Sequence, residues 1–537
     1  MVHFRIDNIE LETAENITVL EAAGQVGISI PSMCFLNGFN NRPSCMVCLV
    51  KDNKTGNMMP SCALKVTEGM DLSASGEDVI IARRQALELL LSDHIGDCEA
   101  PCSLACPAGM DIPLMNRLIG EGRYTDALTI VKRDIALPYI LGYICPAPCE
   151  KACRRKQIDD AVSVCILKRF SAKAGTDIRA EALINDRKAG KIDIKGRIAI
   201  IGSGPAGLSA AYYLLLLGYF CTLYDKQPEA GGALRTDIPE KDLPRSIIDK
   251  EVDIIRSMGA EFCLNELVTG ELYTSSIKDK FDAVVVATGD ISLNDNLVNL
   301  IATAKSGFQV RDASLSSSVP GVFICGSAIR PHKMAVRSAA QGKTVAEAVD
   351  AYIQKRDFVK PGKIFNSRFD KLLDGELEEY LKESVKSGRM EPGKGYAEGF
   401  TEDEAIIEAK RCLHCDCRKQ DNCKLRTYAH EYGADRKRYL IGNRKAMTKQ
   451  MQHFRVVYEP EKCIKCGLCI EICASGGEKY GLAFEGRGID VSVNVPLGGS
   501  LSDGITITAK EVVSSCPTGA LSFLKDNYNP DYTDKKK

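Results

Sequence analysis

The spacing of its cysteines constrains this chain more than any other feature. Twenty-three cysteines occur in 537 residues, and most fall in tight groups separated by two, three or ten residues. In a small secreted chain such a count would mean a disulfide scaffold. This chain is large, and it begins MVHFRIDNIE, with charges where a signal peptide needs an apolar run. In a reducing compartment the grouping reads as metal thiolates. Cys221, Cys263 and Cys325 stand alone in apolar, strand-like segments and read as small hydrophobes. A formal net charge of -1 gives no basic field for nucleic acid. The uncharged stretch 198–224 is long enough to raise a membrane span. It is broken by Gly202, Ser203, Gly204, Pro205 and Gly207 and reads as strand–turn–helix–strand. The expected setting is therefore cytoplasmic, with no nucleic-acid or membrane partner, and the length allows three to five domains.

Residues 1–75 read as a strand pair, a helix from Thr18 to Val26, and a loop carrying Cys34, Cys45, Cys48 and Cys62. Two thiolates on one tight loop can grip one iron while two others close the cage, which suits one [2Fe–2S] centre. Structural zinc is the competing reading, though zinc sites seldom use a gap of ten. The wide first gap, Glu21-Ala22-Ala23 before the loop and Glu68-Gly69-Met70 after it resemble two families. These are the large iron–sulfur subunit of respiratory NADH dehydrogenase and the iron-only hydrogenases related to it. Met46 stands where that family has Arg, a change expected to alter the surroundings of the cluster.

In residues 76–190 a helix is expected from Ala82 to His94. It leads into His94-x3-Cys98-x3-Cys102-x3-Cys106, followed by Cys145-x3-Cys149-x3-Cys153 and then Cys165. The stretches EAPCSLACPAGMDIP and ICPAPCEKAC resemble the N-terminal domain of the glutamate synthase small subunit and of dihydropyrimidine dehydrogenase. That resemblance implies two [4Fe–4S] clusters that draw ligands from both groups. Carried over by position, it gives His94, Cys98, Cys102 and Cys153 as one set, and Cys106, Cys145, Cys149 and Cys165 as the other. His94 replaces a cysteine of that family, while H-x3-C after a helix resembles the respiratory subunit, which uses a histidine on one cluster. For His94 the competing reading is a helix-end residue, and for Cys165 a helix-core thiol.

Residues 195–355 carry a dinucleotide fingerprint in its required context. An apolar strand Arg197–Ile201 enters Gly202-Ser203-Gly204-Pro205-Ala206-Gly207, then come a long apolar helix and a second strand ending at Asp225. The glycines permit a tight turn and close backbone approach, the helix N-terminus faces a pyrophosphate, and Asp225 can bond a ribose hydroxyl. Gly231-Gly232, the strand ending in Ala287-Thr288-Gly289, and Gly321 to Gly326 resemble two-dinucleotide flavoproteins such as the glutamate synthase small subunit, and favour FAD. Ser327 stands where that family has Asp. The interval Asp290 to Pro320 is too short for the second, NAD(P)H-binding unit of those proteins. Neither Gly393-Lys394-Gly395 nor Gly342-Lys343-Thr344 replaces it, so no usual NAD(P)H site is expected.

Residues 356–450 read as a charged helical linker ending in Cys412, Cys415, Cys417 and Cys423. A [4Fe–4S] centre is expected there, and zinc also suits four close thiols. Flanking Arg418, Lys419, Lys424 and Arg426 could offset thiolate charge, with a solvated face as the default. Residues 455–527 open with Cys463-x2-Cys466-x2-Cys469-x3-Cys473, a bacterial ferredoxin run, and keep only Cys516 of a second run. Cys463, Cys466, Cys469 and Cys516 complete one [4Fe–4S] set, and Cys473 is a spectator.

The expected fold is multidomain, α+β and α/β. It comprises a [2Fe–2S] ferredoxin-like β-grasp domain, a helical two-cluster domain, a Rossmann-type FAD domain lacking the NAD(P)H domain, and a bacterial-ferredoxin-like C-terminal domain. With one [2Fe–2S], three to four [4Fe–4S] and FAD, the chain resembles the iron–sulfur flavoprotein subunits of NADH-linked complexes, some of which bifurcate electrons. The resemblance implies an oxidoreductase subunit that relays electrons to and from an FMN-containing NADH dehydrogenase subunit. Its other partner would be a catalytic subunit of hydrogenase or formate dehydrogenase type, or a soluble ferredoxin. The alternatives are a self-contained NAD(P)H-dependent flavoenzyme and a scaffold with vestigial sites.

Overall fold

The computed structural model describes residues 1–40, 42–290, 301–304, 307–359, 364–368 and 371–524. They fall into two compact units. The first comprises Met1–Ala100, Lys363–Glu383 and His414–Asn527, and the second Pro101–Gly362 and Ser384–Leu413. The division cuts inside both cysteine-bearing segments read above as 76–190 and 356–450.

The first unit starts with the expected strand pair, β1 (Val2–Ile6) and β2 (Ile9–Thr13), joined antiparallel. Asp7 and Asn8 turn the chain with positive φ, as a two-residue hairpin loop requires. Val2, Phe4 and Ile6 alternate inward. With β3 (Leu49–Asp52), β4 (Met58–Pro60) and β5 (Asp71–Ser73) they form a sheet of order β2-β1-β5-β3-β4, in which β1 and β5 run parallel. Helix α1 (Val19–Gln25) is closed by a Thr18/Glu21 capping box and ends at Val26, as the sequence indicates. Helix α2 (Glu77–Asp93) starts earlier than Ala82, because Glu77 and Asp78 suit a helix N-terminus, and His94 is its C-cap. The unit also holds β13 (Val456–Tyr458) paired with β16 (Leu521–Phe523), and β14 (Ala483–Glu485) paired with β15 (Ser492–Asn494). Helices Leu468–Ser475 and Ala509–Ser515 pack on this part.

The second unit opens with helices α3 (Pro101–Ala105), α4 (Ile112–Gly120), α5 (Tyr124–Asp134), α6 (Pro138–Ile144), α7 (Pro148–Lys151), α8 (Val164–Ala174) and α9 (Ile178–Lys188). A parallel sheet follows, built from β6 (Arg197–Ile201), β7 (Phe220–Asp225), β8 (Glu261–Leu264), β9 (Ala283–Val286) and β12 (Val322–Ile324) in the order β12-β9-β6-β7-β8. Helix α10 (Pro205–Leu216) crosses between β6 and β7 as the fingerprint demands. Helical and sheet parts share one core: Ala136, Leu137 and Ile140 pack with Ile198, Leu208 and Cys221. Glu251 fixes the junction by accepting from the backbone N–H groups of Tyr139 and Ile140, both at 3.1 Å.

Cys221 and Cys325 are fully buried in that core, while Cys263 is half-buried on β8. Gly342 lies inside helix Ala335–Ile353, where it lets this helix meet α10, so its resemblance to a P-loop is a packing feature. The interval 290–320 lies partly outside the described residues; its described part includes β10 (Thr303–Ala304) paired with β11 (Gly307–Phe308). The segment 356–410 is less helical than its composition suggests. Among its described residues the α-helices are Glu376–Leu381 and Glu402–Ala409. Gly388, Pro392, Gly393, Gly395 and Gly399 break the stretch between them. The break is held by buried Glu408, which accepts from Ser163 N (2.7 Å) and Met390 N (2.8 Å) and pairs with Arg411 (2.9 Å). No helix among the described residues is long and apolar enough to cross a membrane.

Candidate redox centres

Cys34, Cys45, Cys48 and Cys62 are each at most 3% exposed and converge under the first sheet. The sulfurs of Cys34 and Cys45 are 3.4 Å apart. Ser61 donates to the Cys48 carbonyl at 2.7 Å and fixes the loop. Hydrogen bonds among the thiols split their proton affinities: Cys45 pulls Cys34 down to about 2 and Cys62 pulls Cys48 down to about 7. Cys45 and Cys62 rise in return, chiefly through Cys34. Met46 sits at the loop tip with φ 53°, exposed.

Of the two sets carried over by position, one spans both units. Cys98 belongs to the first unit and Cys102 to the second, so the set His94, Cys98, Cys102, Cys153 is divided. Cys98 instead neighbours Cys417 and Cys423. The Cys417 N–H donates to the Cys98 carbonyl at 3.1 Å, and the Ser367 N–H donates to the Cys98 sulfur at 3.4 Å. Burial and then Cys417 push the Cys98 thiol up to about 11, while burial and then Cys417, with a further contribution from Cys98, push Cys423 up to about 12. His94, 8% exposed, leaves Nδ1 without a partner. Burial, then Lys462, lowers its pKa to about 4, so the ring is neutral with a free nitrogen. An orphaned imidazole nitrogen is what a metal ligand looks like without its metal.

In the second unit, the other set does converge. Cys145 bonds Cys165, and Cys165 also bonds Cys149. Buried Lys168, one turn beyond Cys165 on α8, faces Cys165, Cys145, Cys149 and Cys106. Burial works against its charge, yet the four sulfurs hold its pKa above the ordinary value. Cys102 and Cys153 flank a core that also contains Cys412. The motif Cys412, Cys415, Cys417, Cys423 is therefore split: Cys412 lies in the second unit and the other three in the first.

At the C-terminal end, Cys463, Cys466, Cys469 and Cys516 lie within electrostatic reach of one another. Cys473 has its sulfur 3.6 Å from the Thr508 hydroxyl in the apolar core and is also within electrostatic reach of Cys469. Cys34, Cys45, Cys423 and Cys466 share one apolar core, and Cys34 adds to the rise of the Cys466 pKa. The basic residues near Cys423 are mostly not a solvated face: Arg418, Lys419 and Arg426 are buried, while Lys424 is exposed. Sequence reasoning missed Lys168 and Lys462 beside the thiols; a lone Lys three residues beyond a cysteine was the only signal for Lys168. Among the described residues no three His, Cys, Asp or Glu side chains are gathered as closely as one metal ion requires.

The dinucleotide cradle follows the fingerprint. Gly202 turns at φ 105°, where a Cβ would stand 2.3 Å from the Ala287 carbonyl oxygen. A Cβ on Gly207 would meet the Gly202 oxygen at 1.9 Å, whereas one on Gly204 meets nothing within 4 Å. Gly204 caps α10 without a side-chain bond and Pro205 is its first residue, leaving helix N–H groups open to an anion. Gly232 abuts Gly204, and Gly326, packed against Ala206, donates to Gln341 at 2.7 Å. Beside Gly289, the Thr288 hydroxyl is buried without a partner. Asp225 already accepts from Ser203 N (2.7 Å), Ser203 Oγ (2.6 Å) and Gln227 N (2.9 Å). A carboxylate has about four acceptor sites, so one remains for a ribose hydroxyl. Ser327 donates to the His332 carbonyl at 3.1 Å. Open space over Gly204 and an orphaned Thr288 hydroxyl fit a bound dinucleotide.

Three family models match the chain. Residues 1–76 match the 2Fe-2S iron-sulfur cluster binding domain, residues 93–179 the dihydropyrimidine dehydrogenase domain II, 4Fe-4S cluster, and residues 200–269 the NAD(P)-binding Rossmann-like domain. The NADPH-Fe(3+) oxidoreductase subunit beta of Geobacter sulfurreducens is 40% identical over 192 residues, 35% of this chain and 28% of that protein. The NADP(+)-dependent formate dehydrogenase subunit beta of Moorella thermoacetica is 36% identical over 242 residues, 42% of this chain and 32% of that protein. The glutamate synthase [NADPH] small chain of Mycobacterium tuberculosis is 34% identical over 194 residues, 36% of this chain and 39% of that protein. The chain thus spans well under half the length of these curated relatives. It combines a [2Fe–2S] domain, a [4Fe–4S] domain and a Rossmann-like dinucleotide-binding domain, and over part of its length it is similar to subunits of NADPH- and NADP(+)-linked oxidoreductases.

Proposed function

We propose that this chain is the electron-relay subunit of a multi-subunit NAD(H)-linked oxidoreductase, holding FAD and several iron–sulfur clusters. Cys34, Cys45, Cys48 and Cys62 hold the [2Fe–2S] centre. Cys463, Cys466, Cys469 and Cys516 hold one [4Fe–4S] centre, and His94, Cys98, Cys417 and Cys423 hold a second. Cys106, Cys145, Cys149 and Cys165 hold another in the helical part, where Cys102, Cys153 and Cys412 form part of a further site. The observation that carries this reading is the apolar core to which Cys34, Cys45, Cys423 and Cys466 all belong, which brings cysteines of three groups into one cluster. An electron entering at the [2Fe–2S] loop thereby has a next site at Cys466, and a further one at Cys423.

FAD would lie over Gly204 with its pyrophosphate at the α10 N-terminus, near Asp225, Gly232, Thr288, Gly289 and Gly326. The partners in this reading are an FMN-containing NADH dehydrogenase subunit, and a hydrogenase- or formate-dehydrogenase-type subunit or a ferredoxin, with electron bifurcation as one mode of use. Anaerobic purification with iron, sulfide and flavin analysis tests it: FAD and at least three EPR-distinct reduced clusters are expected, and a colourless, iron-free chain refutes it. A second reading, hydride uptake from NAD(P)H by this chain itself, is favoured by the NAD(P)-binding description of the match over 200–269. Rapid bleaching of the isolated chain's flavin by NADPH or NADH would select it over the relay.

A further inference from the structure

Lys419 is 8% exposed, and its ammonium donates to the carbonyls of Val513 and Cys516, the latter at 2.8 Å. Among the described residues it pairs with no carboxylate, unlike Lys462, which is bridged to Glu459 at 2.6 Å, and Arg418, bridged to Glu383 at 2.8 Å. Burial works against that charge, and two neutral carbonyls do not supply the missing counter-charge. The ionisable groups nearest it are the sulfurs of Cys516, Cys423 and Cys417, which become anionic thiolates when they bind iron.

Those sulfurs belong to two different cluster sites, and the loops that carry them interlock. The Cys417 sulfur lies so close to Gly519 that a Cβ there would be 2.2 Å from it. The Lys424 N–H donates to the Pro517 carbonyl at 2.9 Å. The loop holding Cys417 and Cys423 is thus seated on the turn that follows Cys516, with Lys419 in the seam.

We propose that Lys419 is a shared counter-ion for the clusters at His94/Cys98/Cys417/Cys423 and at Cys463/Cys466/Cys469/Cys516, setting both reduction potentials together. This rests on the relay reading above. A fixed positive charge stabilises the more negative, reduced state of each cluster, so removing it disfavours reduction at both. Lys419 is a positioning residue for electrons and takes part in no bond change.

The test is potentiometric EPR on the full chain with Lys419→Met, Lys419→Gln and Lys419→Arg, following each cluster signal. At a fixed poise, the reduced-to-oxidised ratio of both clusters should fall about tenfold in the Met variant, a shift of about 59 mV for a one-electron couple. Lys419→Gln, which keeps a donor for the carbonyls, should shift both in the same sense and serves if the Met variant fails to load iron. Lys419→Arg should restore both, and the [2Fe–2S] signal should not move in any variant. An unmoved pair, a shift confined to one cluster, or an Arg variant displaced as far as Met would overturn the proposal. Absence of either cluster signal in the unmodified chain would instead count against the relay reading.

Discussion

Gly204 and Gly342 lie on opposite sides of one argument about the dinucleotide cradle. At Gly342 a Cβ would stand 2.4 Å from the Ala206 carbonyl oxygen and 2.9 Å from the Ala210 N, while ordinary contact begins at 3.4 Å. The shortfall of 1.0 Å (3.4 less 2.4) falls on backbone atoms of α10, which cannot rotate away. Gly342→Ala should therefore force the two helices apart and destabilise the second unit by about 1–3 kcal/mol, the usual cost of overpacking. At Gly204 φ is -74°, which any residue adopts, and a Cβ meets nothing within 4 Å. Gly204→Ala should leave the stability of the flavin-free chain within about 0.5 kcal/mol of the parent. The space over Gly204 is where a pyrophosphate approaches the backbone, so the added methyl should weaken flavin binding about tenfold to a hundredfold. The assay pairs flavin fluorescence, which reports release, with far-UV circular dichroism on denaturant titration, which reports folding. Retention of flavin by Gly204→Ala at parental affinity would refute the placement. Equal unfolding of the two variants would refute the packing argument.

Three further outcomes follow from buried charge and local chemistry. Glu383→Gln leaves Arg418 and Lys449 buried beside a neutral group and should cost about 3–5 kcal/mol of first-unit stability, read as a lower denaturant midpoint. Burial alone would raise the Glu383 pKa, but Arg418, Lys449 and His414 hold it well below the usual carboxylate range. Its stabilisation should therefore be complete above about pH 4.3, the unfolded value, and be lost as pH falls below it; parent and Glu383→Gln stabilities should converge in acid. Glu408→Gln breaks a pair in which both side chains are 0% exposed and turns one of the two oxygens that accept from the Ser163 and Met390 N–H groups into a donor, so proteolysis near 385–401 should accelerate. Met46→Arg, at an exposed positive-φ tip beside Cys45 and Cys48, should raise the [2Fe–2S] potential without changing iron content, as read by EPR-monitored redox titration.

Local features were legible in the sequence because their causes are local. The strand pair at the start of the chain, the helix from Thr18 to Val26 and the strand–turn–helix at 197–225 each depend on residues within a few positions. The four-thiol sets proposed at Cys34–Cys62 and Cys463–Cys516 rest on spacing of the same short-range kind, each within one small part of the chain. What could not be read was which distant thiols meet. Cys98 neighbours Cys417 only because the chain leaves the first unit after Ala100, comes back to it over 363–383, and enters it again at His414. The H-x3-C spacing at His94 and the C-x5-C spacing at Cys417 are each incomplete alone, and nothing local joins them. The burial of Lys419 was equally hidden, because composition marks a charged run as solvated and only the seat on Val513 and Cys516 shows otherwise.

The regrouping of thiols is tested most directly by comparing the reduced EPR spectra and iron contents of Cys98→Ser, Cys423→Ser and Cys102→Ser in the full chain. Cys98→Ser and Cys423→Ser should abolish one and the same [4Fe–4S] signal, and Cys102→Ser should leave that signal intact while removing another. Loss of a common signal in Cys98→Ser and Cys102→Ser, with Cys423→Ser affecting a different one, would contradict the account.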